Sequence, residues 1–408
     1  MSLITIISIT LIVLATTDFM FPNMPRLKND IFKVSFLLTY FLFTIKYYYG
    51  PDIYFYIPHY ENIPSISYII THPSEIRFEL GYSLFCSFLK SLGCSFWVMT
   101  AVISTIYFVA IYSLFQQLET KKTFALMILI IIDNALIYAA IRQCLSVALF
   151  IFMILAIQKQ KYIETAICAL LTIMFHKSGI FVVIPTLLYL LIPKYIIKQY
   201  SFQILLFLLC TLLFFPLVKL INPLINILPL SERVLNSIEH HLLLGRTIQV
   251  IFLVYLVAII CLTYFTKNKT DKITAIKHTA LIGLILIVCL YQYFYILNRI
   301  RSYFLPFIII YVINSAHNYF KNKYLLPYST LIKQLSILFL FIYASYFTYS
   351  TEKAYSKTIS QIHDKSTIFD LRYNDKTTIR DRQFKKAQTY WEEDFFKDTN
   401  NLIKSSND

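Results

Sequence analysis

Six glycines in 408 residues are too few for a phosphate-cradling loop, which argues against nucleotide chemistry. The seven cysteines (Cys86, Cys94, Cys144, Cys168, Cys210, Cys261 and Cys289) form no CxxC pair and lie mostly inside apolar runs. They read as small buried hydrophobes, not as disulfide partners or metal ligands. The two-residue alternation of barrel strands is missing. No internal repeat and no pair of interrupted helices in matching halves is visible, which counts against a transporter built from inverted repeats. The opening segment, LITIISITLIVLATTDFMF, has neither a basic flank nor a small-residue cleavage site, so it reads as a retained first span.

What remains is apolar. Hydrophobic residues make up 58% of the chain, and runs near twenty residues recur from end to end. Backbone groups in lipid must be satisfied within each segment, so an all-α, polytopic membrane protein is expected. Hydropathy places about twelve spans, at 3–22, 31–49, 95–117, 123–140, 142–158, 162–176, 179–194, 200–221, 248–266, 278–297, 301–318 and 330–350. The stretch 79–92 is too short to cross and reads as an interfacial or re-entrant helix. The spans make one domain, 1–350, with long outer loops at 50–78 and 222–247; a polar tail follows at 351–408.

The formal charge of +15 is concentrated in short inter-span loops, where it sets orientation and gives no sign of nucleic acid. Loops 23–30, 118–122, 157–162, 194–199, 267–277 and 317–324 carry 14 lysines and arginines, and the alternate connections only seven. The lysine-rich set is therefore expected to face the cytoplasm. Many of the 32 tyrosines and 35 phenylalanines stand near segment ends, as interfacial belts do.

The opposite, outward set holds the chemistry. KYYYGPDIYFYIPHYE supplies Asp52 and tyrosines at 54, 56 and 60, and EIRFELGY supplies Glu75, Arg77 and Glu79. Arg142, Gln143 and Ser146 open the fifth span, and His176, Lys177 and Ser178 end the sixth. Asn298, Arg299, Arg301 and Tyr303 begin the eleventh. An arginine in so short an outer turn opposes the charge bias, and a desolvated guanidinium costs about 2.5–3.5 kcal/mol on insertion scales. Its planar fork suits a phosphate.

Blander explanations exist for each group. Arg142 could snorkel to headgroups, and His176 could be a satisfied helix-end histidine. Asp52 could cap a turn and Glu79 the short helix. Arg299 and Arg301 point to different sides of a helix, and Arg299 is the one expected inward. His240–His241 beside Glu239 diverge too far to hold a metal together, so no metal and no cofactor is expected. Together, these cations, carboxylates and the histidine suit a lipid-linked diphosphate held in one outward cavity.

The order of these elements (GPDxYxY, FELGY, an IRQ opening a helix, FHKSG, then NRIRSYFLP) resembles the EpsG family over residues 30 to about 320. That family belongs with the Wzy-type polymerases of exopolysaccharide, capsule and O-antigen. The family elements map onto Gly50, Asp52 and Tyr56; Glu79, Gly81 and Tyr82; Arg142 and Gln143; Phe175, His176 and Ser178; and Arg299, Tyr303 and Phe304. Lys46 stands where family members often carry arginine, and the tail is longer than expected.

The resemblance implies a GT-C-like glycosyltransferase at the outer face of the bacterial cytoplasmic membrane. It would transfer a growing glycan from undecaprenyl diphosphate to a fresh lipid-linked repeat unit. Its expected partners are the lipid-linked oligosaccharide donor and acceptor and the bilayer, with a chain-length regulator as a further candidate. In that scheme Arg142 and Arg299 hold the diphosphate with Gln143, Arg301, Tyr56 and Tyr303 nearby. Asp52 or Glu79 serves as acceptor base, and His176 sits near the phosphates or the acceptor. The rival readings are a flippase or transporter of lipid-linked oligosaccharide and a membrane acyltransferase that modifies the glycan.

Overall fold

The computed structural model describes residues 3–21, 23–45, 52–138, 140–191, 274–289 and 294–321. Among them the secondary structure is entirely helical. The expected spans at 200–221, 248–266 and 330–350, the loop 222–247, the tail, Lys46 and Gly50 lie outside the described residues. Contacts divide the described chain into two compact units. The first comprises residues up to 149 with 174–177, and the second 150–173 with 178–191, 274–289 and 294–321.

In the first unit, α1 (Leu3–Met20) lies along α7 (Lys122–Tyr138), which also packs on α2 (Pro25–Thr44). The last full helix of this layer is α6 (Phe96–Phe115), which contacts α2 and α7. Proline at the first turn starts α2, where its missing N–H costs nothing. Ser95 starts α6 by accepting the Val98 N–H at 3.4 Å. Apolar residues cover every side of α6, as they must where both neighbours and lipid are apolar. Helix association in lipid then depends on close packing, and here phenylalanine supplies it. Phe36 meets Phe108 and Tyr112 edge-on at 5.5 and 5.2 Å, and Tyr40 bonds Thr105 at 2.9 Å.

Two turns fix which helix ends lie together. The Phe124 N–H at the start of α7 donates to Asp18 Oδ2 at 2.9 Å, so a carboxylate from α1 satisfies a neighbouring helix start. Lys121 stands 4.8 Å over the Phe19 ring, and Lys122 5.9 Å over Phe32. The expected cytoplasmic loops 23–30 and 118–122 therefore share one end of this unit. The 17 residues of α7 carry the chain away from it by about 25 Å. There α8 (Ile141–Gln158) begins with Arg142.

At that far end the expected outer loop 50–78 is itself largely helical. It contains α3 (Ile53–Glu61), α4 (Ile66–Thr71) and a 3-10 turn at Pro73–Glu75. The short helix expected at 79–92 is α5 (Leu80–Ser91). Three side chains tie the loop to α5 and its exit. The Tyr60 hydroxyl donates to the Cys94 carbonyl at 2.7 Å, Ser87 to that of Pro64 at 2.8 Å, and Lys90 to that of Glu61 at 2.6 Å. Gly93 ends α5 at φ +77°, with Gly93 N–H on Lys90 O and Cys94 N–H on Leu89 O. The same closure ends α8 at Gln160, φ +58°, so glycine scarcity leaves an ordinary side chain in the left-handed position.

The second unit joins the rest of α8 with α9 (Tyr162–Phe175), α10 (Ile180–Leu191), α11 (Thr274–Cys289) and α12 (Phe294–Lys321). Its tightest pairing is α11 on α12, where a Cβ at Gly283 would stand 2.3 Å from that of Phe304. Phe150 meets Tyr303, Phe304 and Phe307 edge-on at 5.5–5.8 Å. One boundary differs from expectation. Spans were expected at 278–297 and 301–318, yet α12 already begins at Phe294, which places Arg299 and Arg301 inside the helix. A hydropathy window cannot separate YQYFYIL from the apolar run before it. A second departure is the kink in α7 at Asp133, where φ −116° and ψ 26° leave the helical region.

Candidate functional site

The first residue of the site is set by a helix start. Arg142 is the second residue of α8, and its guanidinium is held from three directions. It pairs with the Glu79 carboxylate, lies 4.2 Å from the centre of the Phe78 ring, and stands 5.5 Å from that of Tyr56. Its Nε approaches the Tyr56 hydroxyl at 3.5 Å, the limit of a hydrogen bond. The Arg142 side chain keeps 20% of its surface exposed and Glu79 only 9%, so the pair is largely withdrawn from water yet open along one edge.

Glu79 occupies the position before α5 but makes no side-chain cap there. One oxygen faces Arg142 and the other accepts the Lys177 N–H at 3.3 Å. Burial pushes its carboxyl up. The Arg142 guanidinium, His176 and the backbone N–H groups of Glu79 and Lys177 outweigh that and hold it below the usual range. Glu79 is therefore a carboxylate at neutral pH, and an orienting group more than a proton acceptor.

His176 follows the last residue of α9 and is 6% exposed. The two successive helix ends thus meet, as the expected common face of Arg142 and His176 requires. Gly81 explains how α5 comes so close: a Cβ there would stand 2.8 Å from the Cβ and carbonyl oxygen of Met174. Phe175 then meets Phe85 edge-on at 5.8 Å. Asp52 stands at the head of α3, its carbonyl accepting the Phe55 and Tyr56 N–H groups and its side chain making no cap. Tyr56 is 3% exposed, and burial followed by the Asp52 charge pushes its hydroxyl up to about 12. Gln143 is buried beside Arg142 at 4% exposure.

In the second unit, Tyr303 is fully buried and its hydroxyl bonds that of Ser178 at 3.1 Å. That bond joins α12 to the turn before α10 and gives Tyr303 a packing place. Arg299 is exposed and Arg301 half-buried.

Sequence reasoning passed over Phe78 and His59. Phe78 directly precedes Glu79 and supplies the ring on which Arg142 lies. His59 sits one helical turn after Tyr56, a spacing that could have placed both on one face. Its ring meets Phe78 edge-on at 4.5 Å and stacks on Tyr82 at 6.0 Å. Burial lowers its pKa to about 4, and the Arg142 and Arg77 charges push the same way.

His59 is therefore neutral in the fold, while the unfolded chain takes up a proton near 6.5. Its contribution to stability is present above that value and is lost as pH falls toward 4. The melting midpoint in detergent should drop over that window. His59→Phe, which keeps the ring contacts but cannot titrate, should show a flatter profile; an unchanged profile refutes the assignment.

The profile of the EpsG family matches residues 31–360, most of the chain and every element of this site. The chain belongs to the EpsG family. No curated protein and no solved structure matches it significantly. EpsG proteins are of the Wzy-polymerase type, which makes this a membrane protein of polysaccharide biosynthesis. The structure agrees in kind. Among the described residues α6 and α8 are long and apolar enough to cross a membrane, with mean hydropathy 2.0 and 1.9.

Proposed function

We propose that this EpsG-family protein is a polysaccharide polymerase. It joins undecaprenyl-diphosphate-linked repeat units at the outer face of the bacterial cytoplasmic membrane, and spans that membrane about twelve times with a GT-C-like arrangement. The observation that carries the reading is the Arg142–Glu79 pair, with His176 beside it, at the opposite end of α7 from the lysine-bearing turns. By the positive-inside bias the lysine end is cytoplasmic and the Arg142 end faces outward.

In this reading the acceptor hydroxyl attacks the anomeric carbon of the donor's reducing sugar. The bond from that carbon to the diphosphate oxygen breaks, and undecaprenyl diphosphate leaves. Arg142, fixed by Phe78 and Glu79, meets the charge that develops on the leaving group. Glu79 orients Arg142, so the acceptor proton is assigned to Asp52, at the head of α3. His176 and Gln143 support the phosphates from the same end. Arg299 and Arg301 are assigned to phosphate binding, and Tyr303 to positioning their helix.

The test is reconstitution. Purified protein in liposomes, given two lipid-linked repeat units, should yield lengthened product and free undecaprenyl diphosphate. Movement of the units across the bilayer with no lengthening would establish the flippase in its place.

A further inference from the structure

The helix α5 is too short to cross a bilayer, yet one whole side of it is apolar and uncovered. Its 12 residues rise about 18 Å, against a hydrocarbon core of about 30 Å. Tyr82, Cys86 and Leu89 turn inward and are buried. Leu80, Leu84, Phe88 and Leu92 recur at every fourth residue along the helix, within about a third of its circumference. Phe88 is 51% exposed and Leu92 62%; Leu80 is exposed and Leu84 half-buried.

Single apolar side chains on a surface are ordinary, but a continuous uncharged stripe is not. A water-facing helix side carries charge, and the only charge in α5 is Lys90. Lys90 stands on a different side of the helix, its amine donating to the Glu61 carbonyl at 2.6 Å. Where the stripe ends, α6 begins, a helix long and apolar enough to cross a membrane. Gly93 and Cys94 close α5, the Tyr60 hydroxyl holds the Cys94 carbonyl, and the Tyr60 ring meets Phe96 edge-on at 5.9 Å. Phe96 is the first residue of α6. The exposed apolar side of α6 starts at Val98 and recurs about three turns on at Val109. Trp97 stands at this entrance, where interfacial tryptophans belong. The end of α5 is thus anchored at the mouth of a span.

We infer that α5 lies flat on the bilayer, with Leu80, Leu84, Phe88 and Leu92 sunk in the headgroup–acyl boundary of the outer leaflet. The partner of the stripe is lipid, not water, a second copy or another part of this chain. The choice of leaflet rests on the orientation in the polymerase reading; the docking itself does not. Glu79 immediately precedes α5 and holds Arg142. A helix resting at that boundary therefore sets the Arg142 guanidinium at headgroup depth, where the phosphates of a lipid-linked substrate lie. Such a substrate is met without being lifted from the membrane.

The test uses tryptophan as a depth gauge in the full-length protein in liposomes. Trp97→Phe and Trp391→Phe remove the two native tryptophans. Leu84→Trp, Phe88→Trp or Leu92→Trp then supplies a single one, and a variant that fails to fold leaves two others to read. Phospholipids brominated at shallow or deep acyl positions quench whichever tryptophan they touch. All three sites should emit blue-shifted light, be quenched more by shallow than by deep bromines, and share one depth about 5–10 Å into the boundary. A helix threaded into the membrane would separate Leu84 from Leu92 by about 12 Å in depth, and that result overturns the inference. Red-shifted, unquenched emission puts the stripe in water and overturns it; blue-shifted, unquenched emission puts it against protein, with the same consequence. No substrate is added, so these readings stand apart from polymerase activity. Shallow quenching with no lengthened product on reconstitution removes the transfer reading alone.

Discussion

Arg142→Ala is expected to abolish polymer while single-repeat glycolipid accumulates. Losing one preorganised group at a departing charge costs about 10²–10³ in rate, and a polymer of many units compounds that loss at every step. Arg142→Lys should restore little. An ammonium keeps the charge but gives up the planar face that lies on Phe78 at 4.2 Å and the fork that reaches Glu79 and Tyr56 together. Polymer of normal length and abundance from the alanine variant would remove Arg142 from the mechanism.

A bland explanation of that loss is misfolding, and the structure offers a way to separate the two. Removing one partner of a buried pair leaves the other charge uncompensated, at a cost of about 3–5 kcal/mol. Glu79 keeps only 9% of its side-chain surface exposed, so it would bear most of that cost. The double variant Arg142→Ala/Glu79→Gln removes the orphaned charge and should recover much of the melting midpoint. Polymer should stay absent, because the phosphate contact is still gone. If the double variant regains polymer together with stability, the pair is structural and nothing more.

Much of this site was legible because it breaks the rules of its surroundings. Arg142, Glu79 and His176 are ionisable groups at the ends of apolar segments, and hydropathy plus loop charge sufficed to set them on one face. The helices α5, α6, α8 and α9 likewise begin and end within a residue or two of their expected bounds. What escaped was carried by residues that a membrane protein has in excess. Phe78 and His59 matter through ring geometry, and with 35 phenylalanines in the chain no single one stands out. The kink at Asp133 and the left-handed Gln160 had no glycine or proline to announce them. The start of α12 was misplaced because tyrosine and phenylalanine read as apolar whether they continue a helix or join two.

The choice of base rests on a comparison between two carboxylates at the same end. Proton transfer favours an acceptor whose pKa lies near the working pH. Glu79 fails that condition: Arg142, His176 and two N–H groups hold it below its ordinary value, and protonating it would break the contact that orients Arg142. Asp52 stands at the head of α3, and its charge is felt by Tyr56, whose ring is 5.5 Å from the Arg142 guanidinium. Asp52→Asn, nearly the same shape, should therefore lower chain extension by about 10²–10⁴ with donor binding and melting midpoint little changed. Glu79→Gln should show the opposite signature, weaker donor binding and lower stability with a smaller loss per bound donor. If reconstituted protein instead loses turnover with Glu79→Gln and keeps it with Asp52→Asn, the two assignments exchange places. Arg142 would then be held chiefly by its rings, and its partner would be the group that takes the proton.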